Sequence, residues 1–259
     1  MPIAALCNLT KGGNAMAERN HSQQNEITMR FKFRRGTSLR FLSHLDQQSA
    51  FQRAFRRAGI PLAYSRGFHA HPKMAFGQAM PVGMTSDCEY GDVILTQTME
   101  PDIFIQAFNR SMPEGLMIIE AWVMNGKVPS LTAAIKGAEY CITVPGAFSA
   151  PAVEEAVETF LKQMQINIQK RNKKGKYIEK NIRPFIEKLT ADIRSDTLIF
   201  GLQTKFIDQA TVKPVQVIEQ LNQFAVLGLG SALDWGLHRC TLNLNWTPET
   251  ARNEYIEKM

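Results

Sequence analysis

Closely spaced cysteines are missing from this 259-residue sequence: Cys7, Cys88, Cys141 and Cys240 are scattered singly along it. A zinc site or an iron–sulfur cluster built from paired cysteines is therefore not visible, and four reduced thiols are the simpler reading. No apolar run approaches the length needed to span a bilayer. The opening stretch "MPIAALCNLTKGGNAMAERNHSQQNEIT" lacks the charged-then-apolar order of a secretory signal, so a cytoplasmic location is the default and no membrane partner is expected. Acidic residues are scarce in one place. Between Arg30 and Lys73 only Asp46 is acidic, against ten Lys or Arg (30, 32, 34, 35, 40, 53, 56, 57, 66 and 73). That stretch carries +9 in a chain of net charge +6, so the rest carries −3. A positive field this local concentrates polyanions.

What is present is a globular composition, with 44% hydrophobic residues. Residues 1–28 are polar and without periodicity and read as a flexible leader. "MRFKFRR" alternates apolar and basic residues as a half-exposed strand does. "SHLDQQSAFQRAFRRAG" reads as a helix, with Ser43 as N-cap, Asp46 completing a variant capping box, and Gly59 and Pro61 as the stop. Its apolar face is Phe51, Ala54, Phe55 and Ala58; Asp46, Ser49, Arg53 and Arg57 lie opposite, with Arg56 nearby. "IPLAYS", "MAFGQAMPVG" and "EYGDVILTQTM" read as extended pieces, "PDIFIQAFNRSM" as a helix and "GLMIIEAWVM" as a strand. That order is a split βαβ, ferredoxin-like arrangement with both helices on one face of a sheet.

After "NGKVPS" the pattern recurs. A strand ending "EYCITVP", a helix "SAPAVEEAVETFLKQMQ", a strand "INIQKRN" and a turn "KKGK" are followed by "YIEKNIRPFIEKLTADI" and "TLIFGLQTKF". These last two read as a strand pair, although the first also fits a helix. A helix "KPVQVIEQLNQF" and a strand "HRCTLNLNW" close the unit. The expected fold is α+β, two tandem ferredoxin-like halves with antiparallel sheets: 29–127, carrying the RFLSHLD and GFHAHPK motifs, and 128–259.

Residues 40–86, "RFLSHLDQQSAFQRAFRRAGIPLAYSRGFHAHPKMAFGQAMPVGMTS", closely resemble the radical-SAM-linked domain family, whose function is uncharacterised. Members of that family are fused behind, or encoded beside, a cobalamin-type radical SAM protein, so the resemblance implies such a protein as partner. In "GFHAHPK" the family more often has Asn where His69 stands and Pro where Ala70 stands, whereas His71, Pro72 and Lys73 match. A radical SAM enzyme needs a closely spaced cysteine set for its cluster, which this chain lacks. The resemblance therefore implies the partner of such an enzyme, with no cofactor of its own.

The candidate anion- or RNA-binding residues are Arg35, Arg40, Ser43, His44, Arg53, Arg56, Arg57, Tyr64, Arg66, Phe68, His69, His71 and Lys73. Arg40, Ser43 and His44 stand at a helix N-terminus, where free amides and the dipole favour an anion; the ordinary reading is a ring packed beside a cap. Arg53, Arg56 and Arg57 read ordinarily as a solvated face, yet such faces interleave Glu with Lys, and here three guanidinium groups repel one another. Tyr64, Phe68 and Phe76 read as core residues of a sheet, or, for Phe68 above all, as a platform for a base. His69 and His71 are two ligands without a third, so no metal site is expected. "KRNKKGK" is a basic hairpin tip, and "LGLGSALDWG", which fits no phosphate-loop spacing, reads as a flexible turn.

Two functions remain open. One is a non-enzymatic module that binds RNA or another phosphorylated ligand and works with a separate radical SAM enzyme. The other is a metal-independent RNA-processing nuclease, resembling the tandem ferredoxin-like nucleases of CRISPR systems, with His44 or His71 as acid or base and Asp46 as a further candidate. In the first, Arg53→Glu with Arg57→Glu is expected to abolish binding and spare the fold.

Overall fold

The structure is a computed structural model that describes residues 26–124, 129–171 and 175–246. The first half contains β1 (Ile27–Arg35), α1 (His44–Arg57), β2 (Met74–Phe76), β3 (Met84–Leu95), α2 (Pro101–Ser111) and β4 (Leu116–Met124). The second contains α3 (Leu131–Ala134), β5 (Ile135–Pro145), α4 (Ala150–Lys162), β6 (Asn167–Arg171), β7 (Tyr177–Asn181), β8 (Ile186–Arg194), β9 (Thr197–Lys205), α5 (Pro214–Ala225) and β10 (Gly236–Leu244).

The sheet order is β4-β1-β3-β10-β5-β9-β8, with β2 pairing β3. With β2 beside β3, the first half has the order fourth-first-third-second, and β10-β5-β9-β8 repeats it once the separate β6–β7 hairpin is set aside. This is the ferredoxin-like order twice, as the alternation of strands and helices leads one to expect. The leader up to residue 25 and the dividing point near residue 128 lie outside the described residues.

The two half-sheets fuse into one of eight strands. The fusion is a parallel pairing of Met84–Ser86 on β3 with Leu237–Arg239 on β10. It also accounts for how short β2 is. β2 pairs with β3 only opposite Gly91–Val93, because β10 holds the other end of the same edge. Residues 77–83, expected to be extended like β2, leave the sheet and become a strap. Met80 of the strap is buried in the second half's core. "IPLAYS" likewise forms no strand, only single bridges from Leu62 to Leu95 and from Tyr64 to Pro72.

In "YIEKNIRPFIEKLTADI" the extended reading holds over two strands separated by a turn at Arg183–Phe185, where Pro184 prevents a continuous ladder. "LGLGSALDWG" is a pinned turn: Leu229 N–H donates to Asn222 Oδ1 at 3.2 Å, and Trp235 Nε1 donates to the Leu229 carbonyl at 2.9 Å.

The period-two pattern of β1 decides what each face carries. Met29, Phe31 and Phe33 are buried under α1 and α2, where Phe31 stacks on Phe51 at 5.7 Å and Phe51 on Phe108 at 5.0 Å. Gly91 lies beneath the Phe31 ring, where a Cβ would collide with it. Tyr140 and Arg239 pair with each other, and Arg239 with Ser86, so the buried faces of both halves lie on the same side of the sheet. On the other side, the imidazole of His238 bridges Thr85 Oγ1 (2.8 Å) and Asp87 Oδ2 (3.1 Å).

Candidate nucleic-acid interface

The α1 helix forms because its ends are stopped. The Ser43 hydroxyl accepts from Asp46 N–H at 3.2 Å, and Gly59 takes the left-handed φ of +66° that terminates it. At 100° per residue, Gln47, Phe51, Ala54 and Phe55 point inward and are buried. Leu45, Ser49, Arg53 and Arg56 then share the outer stripe, and all four are exposed.

Arg34 apart, which is exposed, the cations between Arg30 and Lys73 divide into two groups. Arg30 is buried and meets Asp92 through two hydrogen bonds of 2.8 and 2.9 Å. Lys32 pairs with Glu120 at 2.9 Å, and Lys73 with Glu26 at 2.6 Å. Arg35 is 1% exposed, and its guanidinium donates to the carbonyls of Leu42, Pro81 and Met84 and to Gln47 Oε1. Its inclusion among the surface candidates is therefore corrected. Arg35 has the same parity as Phe31 and Phe33, so it faces the helix layer, where it ties β1, the strap and the approach to α1 together.

The second group remains outside. Arg53 and Arg66 are exposed, and among the described residues neither has a carboxylate partner. Arg56 lies over the Tyr64 ring at 5.9 Å, and Arg40 over the Phe41 ring at 4.7 Å. Arg57 is exposed but donates to the Ser111 carbonyl at the end of α2 at 2.5 Å, where a cation suits the helix dipole. Arg57 thus has a structural task besides its place on the exposed face, which sets it apart from Arg53.

Tyr64 and Lys73 lie on the arms of a projecting loop. Ala63 N–H donates to Ile94 O, Lys73 N–H to Ala63 O and Ile94 N–H to Lys73 O, at 2.8 to 2.9 Å, which anchors both arms on β3. Ser65 N–H donates to His71 O at 2.8 Å, and His71 N–H to the Ser65 hydroxyl at 3.0 Å. The segment 65–71 is thereby closed at its base, and Gly67 turns at φ +122°. Phe68 at the tip is fully exposed, with Arg66, His69 and His71 around it. Phe76 is half-buried against Phe33 and Phe51, in line with its reading as a core residue, whereas Tyr64 and Phe68 are exposed, which corrects that reading for them.

The pocket expected at the α1 N-terminus is already filled. The Asp46 carboxylate accepts from the Ser43 hydroxyl at 2.6 Å and places its own negative charge at the helix start. His44 points inward, its ring edge-on to Phe76 at 6.0 Å and its Nδ1 buried without a partner. Ser43 and His44 therefore do not belong to the outer stripe. Among the described residues, neither the His44 nor the His71 side chain has a hydrogen-bond partner, and Asp46 orients neither.

Beneath the strap, at the seam of the two halves, lies a group that the sequence did not disclose. Arg239 Nη1 donates to Glu89 Oε1 at 2.7 Å, and both residues are buried. Burial, the largest influence, pushes the Glu89 carboxyl above its ordinary range, against the pull of Arg239 and the Ser86 hydroxyl. Burial opposes the charge of Arg239 as well, and Glu89 and Tyr140 more than offset it.

Phe41 was also missed. It is 66% exposed beneath the Arg40 guanidinium, and its signal in the sequence is an aromatic residue outside the inward register of α1. Of the "KRNKKGK" tip, Lys173 and Lys174 lie outside the described residues, and Arg171 Nε donates to the Gly175 carbonyl at 3.1 Å. No helix among the described residues is long and apolar enough to cross a membrane, and no three His, Cys, Asp or Glu side chains among them group as metal ligands.

Fold and site together define an α+β protein of two ferredoxin-like halves on one sheet, with an uncompensated arginine stripe on the first helix. The chain belongs to the family described as "Uncharacterized protein conserved in bacteria (DUF2344)", whose model matches residues 28–220. No curated protein matches it in sequence. Among solved structures, one chain of a Cbf5-Nop10-Gar1 complex is similar at 11% identity and a TM-score of 0.41, over 82% of this chain and 47% of that one. This chain thus spans about half the length of that neighbour. An unknown protein from Galdieria sulphuraria is similar at 10% identity and a TM-score of 0.24, over 83% of this chain and 97% of that one.

Proposed function

We propose that this chain is a non-enzymatic binding module that holds RNA on the outer stripe of α1 and the 65–71 loop, and works with a separate cobalamin-type radical SAM enzyme. One observation carries the reading. Five of the basic residues, Arg30, Lys32, Arg35, Arg57 and Lys73, are satisfied by carboxylates or carbonyls, while Arg53, Arg56 and Arg66 stand exposed without a carboxylate, Arg66 two residues from a fully exposed Phe68. Guanidinium groups in that setting suit phosphate oxygens, and an unburied aromatic ring suits a base. The radical SAM partner is supported only by the resemblance of residues 40–86, and the absence of paired cysteines suits an accessory role.

The test is the affinity of the purified chain for labelled single-stranded RNA as a function of salt. Four phosphate contacts, from Arg40, Arg53, Arg56 and Arg66, give a log–log slope of about −3. Arg53→Glu with Arg56→Glu should abolish binding without loss of the folded circular-dichroism spectrum. Equal binding by that folded variant would refute the reading. Co-purification from native cells tests the enzyme partner separately.

A further inference from the structure

We propose that the interface is a track for an unpaired single strand, which begins on the 65–71 loop and ends on Phe41 at the far end of α1. The inference rests on the reading of this face as an RNA-binding surface and names what that surface selects: unpaired RNA of about six nucleotides or more.

Phe41 and Phe68 are the two exposed phenylalanines of this half's α1 face, at 66% exposure and fully exposed. They stand at opposite ends of the helix. Phe41 precedes the Ser43 cap by two residues, whereas the Phe68 loop joins the last turn of α1 through Arg56 over Tyr64. Each ring has an arginine: Arg40 lies over Phe41 at 4.7 Å, and Arg66 is two residues from Phe68. Phe41 keeps 66% of its surface exposed with Arg40 over the ring, and a guanidinium on one face of a ring strengthens stacking on the other.

Between the two rings the outer stripe carries Leu45, Ser49, Arg53 and Arg56, with the exposed Asp46 carboxylate at its Phe41 end. Gly83 N–H donates to the Arg40 carbonyl at 2.8 Å, which ties the strap to the segment that carries Phe41. The track thus has an exposed aromatic ring at each end and the helix cations Arg53 and Arg56 between them. A strand whose terminal bases stack and whose internal phosphates face the arginines fits that order. A duplex does not, since its bases are already stacked on one another. The fourteen residues of α1 span about 21 Å at 1.5 Å per residue. At the stacked rise of 3.4 Å per nucleotide this is about six nucleotides.

The experiment compares strands of about four and about twelve nucleotides, shorter and longer than the track, by fluorescence anisotropy at low salt. Wild type should gain affinity with length, and Phe41→Ala should reduce that gain roughly tenfold. Phe41→Trp should keep the gain and show a fluorescence change with the longer strand. If Phe41→Ala gains as much as wild type and Phe41→Trp fluorescence is unmoved, while Arg53→Glu with Arg56→Glu still abolishes binding, the track ends on the helix. This inference then falls and the RNA reading stands. If the double arginine variant binds like wild type, both fall.

Discussion

Arg239, on β10, donates to Glu89 on β3 across 2.7 Å in a site closed to solvent, and so joins the two halves by a charge pair. The pair sits beside the parallel pairing of β3 and β10, and the Arg35 guanidinium adds a further positive charge near Glu89. Removal of either member leaves the other buried without its counter-charge. Glu89→Ala should therefore lower stability by about 3–5 kcal/mol, as read from urea unfolding. An effect below about 1 kcal/mol would mean that water reaches the seam.

The same carboxyl gives a pH signature. Its folded pKa is raised, so between the ordinary carboxylate pKa and the raised one the folded chain holds more protons than the unfolded chain. Its contribution to stability is present at low pH and is lost as pH rises through the folded pKa. Glu89→Gln should flatten this downward slope in unfolding curves collected upward from the ordinary carboxylate pKa.

Arg57 and Arg53 should separate in their effects. Arg57→Glu places a carboxylate against the terminal carbonyls of α2 and should cost about 1–2 kcal/mol of stability. Arg53→Glu meets no such partner and should change thermal stability by less than about 0.5 kcal/mol while it weakens RNA binding.

Gly91→Ala tests the aromatic core. Its Cβ would stand 2.7 Å from Phe31 Cε2 and closer still to Cζ, and Phe31 is itself held by Phe51, Phe55 and Phe104. Because the ring has little room to move, the expected loss is about 1–3 kcal/mol in a thermal melt.

How far the sequence discloses this molecule depends on the range of each interaction. The alternation in "MRFKFRR" and the cap of α1 are local, and both are legible. Arg35 was legible in principle, since it continues the odd-numbered register of Phe31 and Phe33, but its charge drew it to the wrong side. The partner of Arg57 is a backbone carbonyl 54 residues away, and no residue type signals a carbonyl. The shortening of β2 is less legible still, because the cause is a strand 150 residues downstream that competes for the same edge.

The pairing of β3 with β10 also sets the order in which the chain can mature. Ser86 and Arg239 are 153 residues apart, so at roughly 5–20 residues per second the ribosome needs about 8–30 s to supply the partner of an edge already made. Through that interval the nascent first half exposes an open strand margin and an unhoused Met80. Soluble yield in cell-free translation is expected to depend on added chaperone more than the refolding of the finished chain does, and equal dependence would contradict this reading of where β10 is encoded.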